Sequence, residues 1–474
     1  MGKPKGFIEI PRQEAEYRPV KERLQDFNEV EIRLNDEQTR QQAARCMDCG
    51  VPFCHGCGCP LANVIPEMND LIYNGHWQDA LKILLSTSNF PEITGRICPA
   101  LCETSCTIGI NGDPVAVRQI ELWLVEKGFK EGVLKPAVTI MRTGKRIAVV
   151  GSGPAGLAVA DILNKRGHFV TVFEKEKYAG GLLRYGIPDF KLSKAVVQRR
   201  IDLMAAEGVS FETGVEIGKE IAGSYLKSRF DAICLCNGAK MARDLQVPGR
   251  ELDGIYFAMD YLHQQNCRIS GEPVKGPEIL ANGRKVVVIG GGDTGSDCVG
   301  TALRQGAKSV TQLEIMPQPP ENRHESTPWP QWPYQLRTSS SHKEGCERIW
   351  SVLTKSFSGS GNVKRLNLIK VEWETDALGR PVKMKEIPGS EFSMDADLIM
   401  LAMGFTAPQK FGALEQFGVK LDSKGNVAVD QNGQTSEPGI FAAGDVAAGP
   451  SLAVRAIAAG RTMAAAVDAF LKGK

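Results

Sequence analysis

One arrangement of apolar and polar positions occurs twice in this chain, and the repeat organises the rest of the reading. A β-branched run, Arg146-Ile147-Ala148-Val149-Val150, leads into a glycine turn, an alanine-rich segment with helical spacing to about Arg166, and a second apolar run, Phe169-Val170-Thr171-Val172-Phe173. That order of strand, turn, helix and strand predicts a βαβ unit. The same grammar returns at Lys285-Val286-Val287-Val288-Ile289, with a glycine turn, a helix to about Gln305 and the run Ser309-Val310-Thr311-Gln312-Leu313. Two copies predict two Rossmann-like folds of the α/β class, each built on a parallel sheet. Two further runs, 232–239 and 397–404, read as late strands whose tips approach a ligand and as crossing points between the folds. Residues 1–140 contain no strand-to-helix glycine turn and read as a mainly helical front domain, with one helix around Asp79 to Leu85. The expected division is therefore 1–140, then 141–258 as the first part of one nucleotide fold, 259–405 as the second fold, and 406–474 returning to the first. Six prolines between 317 and 333, with Trp329 and Trp332 among them, predict an ordered loop in the second fold rather than a linker.

Composition excludes more than it selects. A chain of 474 residues has room for about three domains. With 42% hydrophobic and 24% charged residues and a net charge of +2, nothing points to nucleic acid or to a membrane surface. The start, Met1-Gly2-Lys3-Pro4-Lys5-Gly6, has no apolar run of a signal peptide, and no stretch approaches the ~18 apolar residues of a membrane span. The expectation is a cytoplasmic protein.

The first glycine turn is Gly151-Ser152-Gly153-Pro154-Ala155-Gly156. Its first glycine makes the tight turn, its second lets a pyrophosphate approach the backbone, and its third allows helix and strand to pack closely. Free amides and the positive end of the helix dipole then favour the diphosphate. Glu174, at the end of the second strand, is placed to accept hydrogen bonds from a ribose. Far downstream, Gly439-Ile440-Phe441-Ala442-Ala443-Gly444-Asp445 resembles the second FAD fingerprint of flavoproteins with two dinucleotide folds. There the aspartate, here Asp445, holds the ribitol chain, and the helix beginning near Pro450-Ser451 points its positive end at the flavin.

Gly290-Gly291-Gly292-Asp293-Thr294-Gly295 repeats the turn and is expected to hold NADH or NADPH, with Gly404 at the tip of the late strand. Glu314 stands where an acidic group accepts from a free 2′-hydroxyl and repels a 2′-phosphate, which favours NADH. Arg323, a little further on, keeps NADPH open.

Thirteen cysteines suit either a disulfide scaffold or a metal protein, and in a chain without an export signal those clustered in the front domain read as metal ligands rather than disulfides. Eight are in front: Cys46-x2-Cys49-x4-Cys54-x2-Cys57-x-Cys59-Pro60, then Cys98-Pro99-x2-Cys102-x3-Cys106. Thiolates at this spacing can wrap an iron–sulfur cluster, and a final Cys-Pro is similar to ferredoxin runs. Structural zinc is the competitor, but the CxxC pairs are too close for a zinc ribbon. Cys234, Cys236 and Cys298 read as core residues, and no histidine is given a catalytic role.

The front cysteines, Gly151 to Gly156, Gly180-Gly181-Leu182-Leu183-Arg184-Tyr185-Gly186-Ile187-Pro188, Gly290 to Gly295 and Ala443-Gly444-Asp445 together resemble, in that order and nearly end to end, the small (beta) subunits of glutamate synthase. The resemblance implies FAD, contacted also by Gly181 and Leu182, together with NAD(P)H and two [4Fe–4S] clusters. It implies Cys46, Cys49, Cys54 and Cys106 for one cluster, and Cys59, Cys98, Cys102 and Glu121 for the other. Cys57 competes with Cys59, which is preferred because Pro60 follows it. The implied activity is hydride transfer from NAD(P)H to FAD and delivery of electrons through the clusters to a large (alpha) subunit that makes L-glutamate from L-glutamine and 2-oxoglutarate. No side-chain acid or base is required, so no catalytic residue is expected. The cluster-and-flavin portion of dihydropyrimidine dehydrogenase shares this layout, so layout alone leaves open a reductase serving ferredoxin or a pyrimidine-reducing partner.

Overall fold

The structure is a computed structural model and describes residues 2–473. In the front domain, α1 (Asp36–Ala44) starts at a reciprocal cap: the Asn35 side chain accepts from the Gln38 amide, and the Gln38 side chain accepts from the Asn35 amide. It is followed by α2 (Ile65–Tyr73), α3 (Trp77–Thr87), α4 (Pro91–Ile97) and α5 (Val117–Lys130). Helical spacing puts Ile65, Met68 and Ile72 of α2, Leu81 and Leu84 of α3 and Ile120 and Leu124 of α5 into one buried cluster.

The first nucleotide fold contains β1 (Arg146–Val150), α6 (Pro154–Lys165), β2 (Phe169–Glu174), α7 (Lys194–Ala206), β3 (Ser210–Thr213) and β4 (Ala232–Leu235). The second contains β5 (Ile255–Phe257), α8 (Ala258–Ile269), β6 (Lys285–Ile289), α9 (Asp293–Arg304), β7 (Ser309–Leu313) and β8 (Glu347–Ile349). An antiparallel sheet of β9 (Val352–Ser360), β10 (Asn362–Thr375), β11 (Pro381–Glu386) and β12 (Phe392–Asp395) comes next. The chain then returns through β13 (Leu398–Leu401) to the second fold, and through β14 (Ile440–Ala442) and α10 (Ala453–Lys472) to the first. Both large sheets are parallel throughout, in the orders β14-β4-β1-β2-β3 and β8-β7-β6-β13-β5. Their central strands are apolar at consecutive positions because helices or the antiparallel sheet cover both faces.

Three features depart from or refine the sequence reading. Residues 352–395, in which no separate element was expected, form the antiparallel sheet. Ile255–Phe257 already pairs with β13, so the second sheet takes in residues ahead of the expected boundary at 258/259. The segments just after the two expected crossings also pair with each other, Phe405–Ala407 lying antiparallel to Met241–Ala242.

Buried ion pairs fix the three parts against one another. Glu344 of the second fold, fully buried at its carboxylate, meets Arg304 at 2.6 Å and Arg23 of the front domain at 2.7 Å. Arg304 also lies 3.9 Å from the ring centroid of Phe190 in the first fold. Removing one partner would strand a buried charge, so this junction resists piecemeal loss. Among the described residues no helix is long and apolar enough to cross a membrane.

Candidate functional site

At the first turn, Gly151 has φ +101°, a conformation that favours glycine, and a Cβ on Gly156 would lie 2.0 Å from the Gly151 carbonyl oxygen. The turn therefore cannot close onto α6 with any side chain at 156. Gly151, Gly153, Pro154 and Ala155 form one wall of a cavity of about 440 Å3; Glu174, Gly181, Leu182 and Asp445 also line it. Glu174 accepts from the Ser152 amide at 3.1 Å, from the Ser152 hydroxyl and, through its other oxygen, from the Glu176 amide at 3.0 Å. The Ser152 hydroxyl in turn accepts from the Gly180 amide at 2.8 Å, tying the turn to the segment that carries Gly181 and Leu182. Asp445 follows Gly444 at the tip of β14; its Oδ1 accepts from the amide and hydroxyl of Ser451, and burial raises its carboxyl pKa. Ala453 and Ala456, from the first turn of α10, close the far wall.

The second turn repeats the backbone and differs in its surroundings. Gly290 has φ +120°, and a Cβ on Gly295 would lie 2.3 Å from the Gly290 carbonyl oxygen. Asp293 and Thr294 open α9, while Gly292 and Asp293 are exposed. Glu314 at the end of β7 accepts from the Gly291 amide at 2.6 Å and from the Met316 amide at 3.0 Å. Beneath the turn, Gln312 donates to the Gly290 carbonyl at 2.8 Å, and its own carbonyl lies 2.7 Å from His342 Nε2. Burial lowers the His342 pKa to about 4 and keeps the ring neutral. Gly404 lies on the second crossing, where its carbonyl accepts from the Arg243 amide. Arg323 donates to the Thr327 and Gln331 carbonyls, so it organises the proline loop. That loop also reaches the front domain, with the Trp329 ring tilted against Phe53, centroids 4.6 Å apart.

The front cysteines line two separate cavities. Cys46, Cys49, Cys54 and Cys106 line one, together with Phe53 and Asn69. Cys59, Cys98, Cys102 and Glu121 line the other, together with Asn63 and Val454. Cys57 is exposed and lines neither. A π-helical turn over Cys54–Gly58 carries the chain from one cavity to the next. Burial pushes the Cys54 and Cys59 thiols up to about 12, raises Cys102 well above its usual value and takes the Glu121 carboxyl to about 7. Asn63 donates to one Glu121 oxygen at 2.8 Å and leaves the other free. Such thiols are neutral in the protein alone and become thiolates only beside a bound cation. Among the described residues no three of His, Cys, Asp or Glu converge closely enough to hold a single metal ion.

Residues 145–460 match the pyridine nucleotide-disulphide oxidoreductase family, and residues 23–133 match dihydropyrimidine dehydrogenase domain II, 4Fe-4S cluster. Over the whole chain, the glutamate synthase [NADPH] small chain of Mycobacterium tuberculosis is 50% identical, covering 97% of that protein. The chain belongs to the glutamate synthase small-chain family. The glutamate synthase [NADH] of Schizosaccharomyces pombe is 44% identical over 100% of this chain, which corresponds to 23% of the fungal protein. Among solved structures, M. tuberculosis FprA in complex with NADPH shares the fold of the two nucleotide domains. It has a TM-score of 0.56 and 19% identity, and covers 70% of this chain and 85% of that one.

In this small-chain family member, several site residues lie outside the motifs that the sequence exposes. Val215–Lys219 and Gln409–Ala413 complete the first cavity, yet neither segment has a recognisable spacing; an exposed Phe411 beside Gly412 is the one local signal. Asn63 and Asn69 are also new, and for Asn69 a signal exists, since it falls on the apolar stripe of α2. Glu314, expected to accept from a free 2′-hydroxyl, lies at the end of β7 beside the turn. Both of its oxygens accept from backbone amides, as those of Glu174 do in the first turn, and each oxygen keeps acceptor capacity for a ribose hydroxyl.

Proposed function

We propose that this chain is the electron-delivering subunit of a glutamate synthase, taking a hydride from NADPH and passing electrons through two [4Fe–4S] clusters to a large subunit that forms L-glutamate from L-glutamine and 2-oxoglutarate. One observation carries this reading. The first turn of α10 is a shared wall, with Ala453 and Ala456 lining the cavity of the first glycine turn while Val454, between them, lines the cavity of Cys59, Cys98, Cys102 and Glu121. A flavin site and a cluster site separated by a single helical turn make a short path for electrons.

The chain's residues fit these groups. The amides of the 151–156 turn and the start of α6 suit the FAD pyrophosphate, Glu174 the adenosine ribose, and Asp445 the ribitol hydroxyls. The two cysteine cavities supply four thiols in one case and three thiols with a carboxyl in the other, in surroundings dry enough to hold an iron–sulfur cluster. When bound, FAD converts a two-electron hydride into single electrons, which no side chain of the protein can do. The protein's contribution is positioning: the 290–295 turn and α9 receive the dinucleotide phosphates, Glu314 and Gln312 keep that turn in shape, and the Glu344 junction holds the second fold over the first. NADPH is placed ahead of NADH because the M. tuberculosis relative is named for NADPH.

The partner follows from the fungal relative. There, sequence like this chain makes up under a quarter of one glutamate synthase polypeptide, so the remainder of that protein stands for the subunit that this chain serves. The test is to purify the chain with its cofactors and combine it with a glutamate synthase large subunit. Glutamine- and 2-oxoglutarate-dependent NADPH oxidation is expected, and its absence with both proteins fully loaded would reject the proposal.

A further inference from the structure

The two cysteine cavities each contain one buried asparagine, and only one of these is satisfied by the protein. In the cavity of Cys59, Asn63 donates to Glu121 at 2.8 Å and accepts from the Thr87 hydroxyl at 2.9 Å. In the cavity of Cys46, Cys49, Cys54 and Cys106, Asn69 is 0% exposed, yet neither its amide nitrogen nor its amide oxygen has a hydrogen-bond partner. It sits on α2 among Ile65, Met68 and Ile72, where an apolar side chain would be expected. An orphaned buried amide is costly, and native proteins rarely keep one without a role.

Resting on the functional reading above, we propose that Asn69 is a positioning residue whose amide donates a hydrogen bond to a sulfur of the cluster held by Cys46, Cys49, Cys54 and Cys106, raising the reduction potential of that cluster. A donor aimed at sulfur stabilises the more negative, reduced state and makes the cluster a better electron acceptor. The second cavity uses its asparagine differently: Asn63 is spent on Glu121 and tunes a ligand, not a sulfur. The pair thereby biases electrons away from the flavin side and toward the far cavity.

The experiment is a redox titration of the loaded protein followed by electron paramagnetic resonance. The couple of interest is identified as the one abolished by Cys106→Ser. Asn69→Leu keeps the side-chain volume and removes the donor. Its couple is expected to fall by about 59 mV, equivalent to a tenfold change for one electron, with iron content unchanged. A couple indistinguishable from that of the unsubstituted protein at full iron content would overturn the proposal. If the leucine variant fails to retain iron, Asn69→Ser and Asn69→Ala decide the matter. The serine variant, which keeps a donor, is expected to have the higher potential, and equal or reversed potentials would overturn the assignment. An unsubstituted protein without any iron–sulfur signal after reconstitution would instead reject the functional reading, and this proposal with it.

Discussion

The two glycine turns have nearly the same backbone and different surroundings. Each begins with a positive-φ glycine, each has a third glycine pressed against the first carbonyl, and each has an acidic residue at the next strand end accepting from a turn amide. The first turn is roofed by the 180–187 segment, Asp445 and α10, whereas Gly292 and Asp293 of the second are exposed. The lesson is that the local motif supplies a phosphate cradle, and the covering segments decide whether its occupant stays or exchanges. A resident FAD needs enclosure, and a turning-over nicotinamide donor needs an open door.

The largest effect should come from breaking the roofed turn. In Gly156→Ala the new Cβ meets the Gly151 carbonyl at 2.0 Å with Cys236 behind it, leaving no direction for relief. FAD affinity should fall by roughly a hundredfold or more, and the protein should purify without its visible flavin band. Gly295→Ala makes a similar clash, but beside an exposed turn and the movable Gln312 amide. It should retain full flavin and raise the KM for NADPH about tenfold, as steady-state kinetics with an artificial acceptor would measure. Loss of flavin in both variants would erase the distinction drawn between the turns.

Smaller effects sharpen it. Glu314→Gln weakens the bonds to Gly291 and Met316 and should lower kcat/KM for NADPH and NADH alike, by roughly threefold to tenfold. A selective change in one donor would support the discriminating role that the sequence suggested for Glu314. The smallest expected effect concerns His342, held neutral with its pKa lowered to about 4 against 6.5 in the unfolded chain. Between those values the unfolded chain binds a proton that the folded chain refuses, so stability present above pH 6.5 is lost as pH falls toward 4. Denaturant unfolding at pH 7 and pH 5 should show a smaller acid loss in His342→Gln than in the unsubstituted protein.

Much of this molecule is legible in its sequence because its chemistry is local. A glycine turn between a strand and a helix encodes its geometry in spacing, which is why Gly151 to Gly156 and Gly290 to Gly295 each lie between a strand and a helix as expected; the division of the front cysteines between two cavities, with Cys57 in neither, was not encoded in spacing. Features that depend on distant segments meeting were not legible. The walls at Val215–Lys219 and Gln409–Ala413, the placement of Val454 between two cavities and the neutral His342 beneath a turn all arise from packing across the folds. The 352–395 sheet was missed for another reason: its strands are half exposed, so their apolar runs are broken and weak.

The central claim is an order: dinucleotide turn, flavin cavity, the cavity against α10, then the cavity of Cys46, Cys49, Cys54 and Cys106. Rapid mixing of loaded protein with NADPH, freezing at intervals and reading flavin absorbance and cluster resonance, tests it most directly in Cys102→Ser and Cys106→Ser. The account predicts that flavin reduction survives in both variants. Cys102→Ser should slow reduction of the far cluster severely, and Cys106→Ser should leave reduction of the near cluster at its normal rate. Normal reduction of the far cluster in Cys102→Ser, with the near cluster absent, would contradict it.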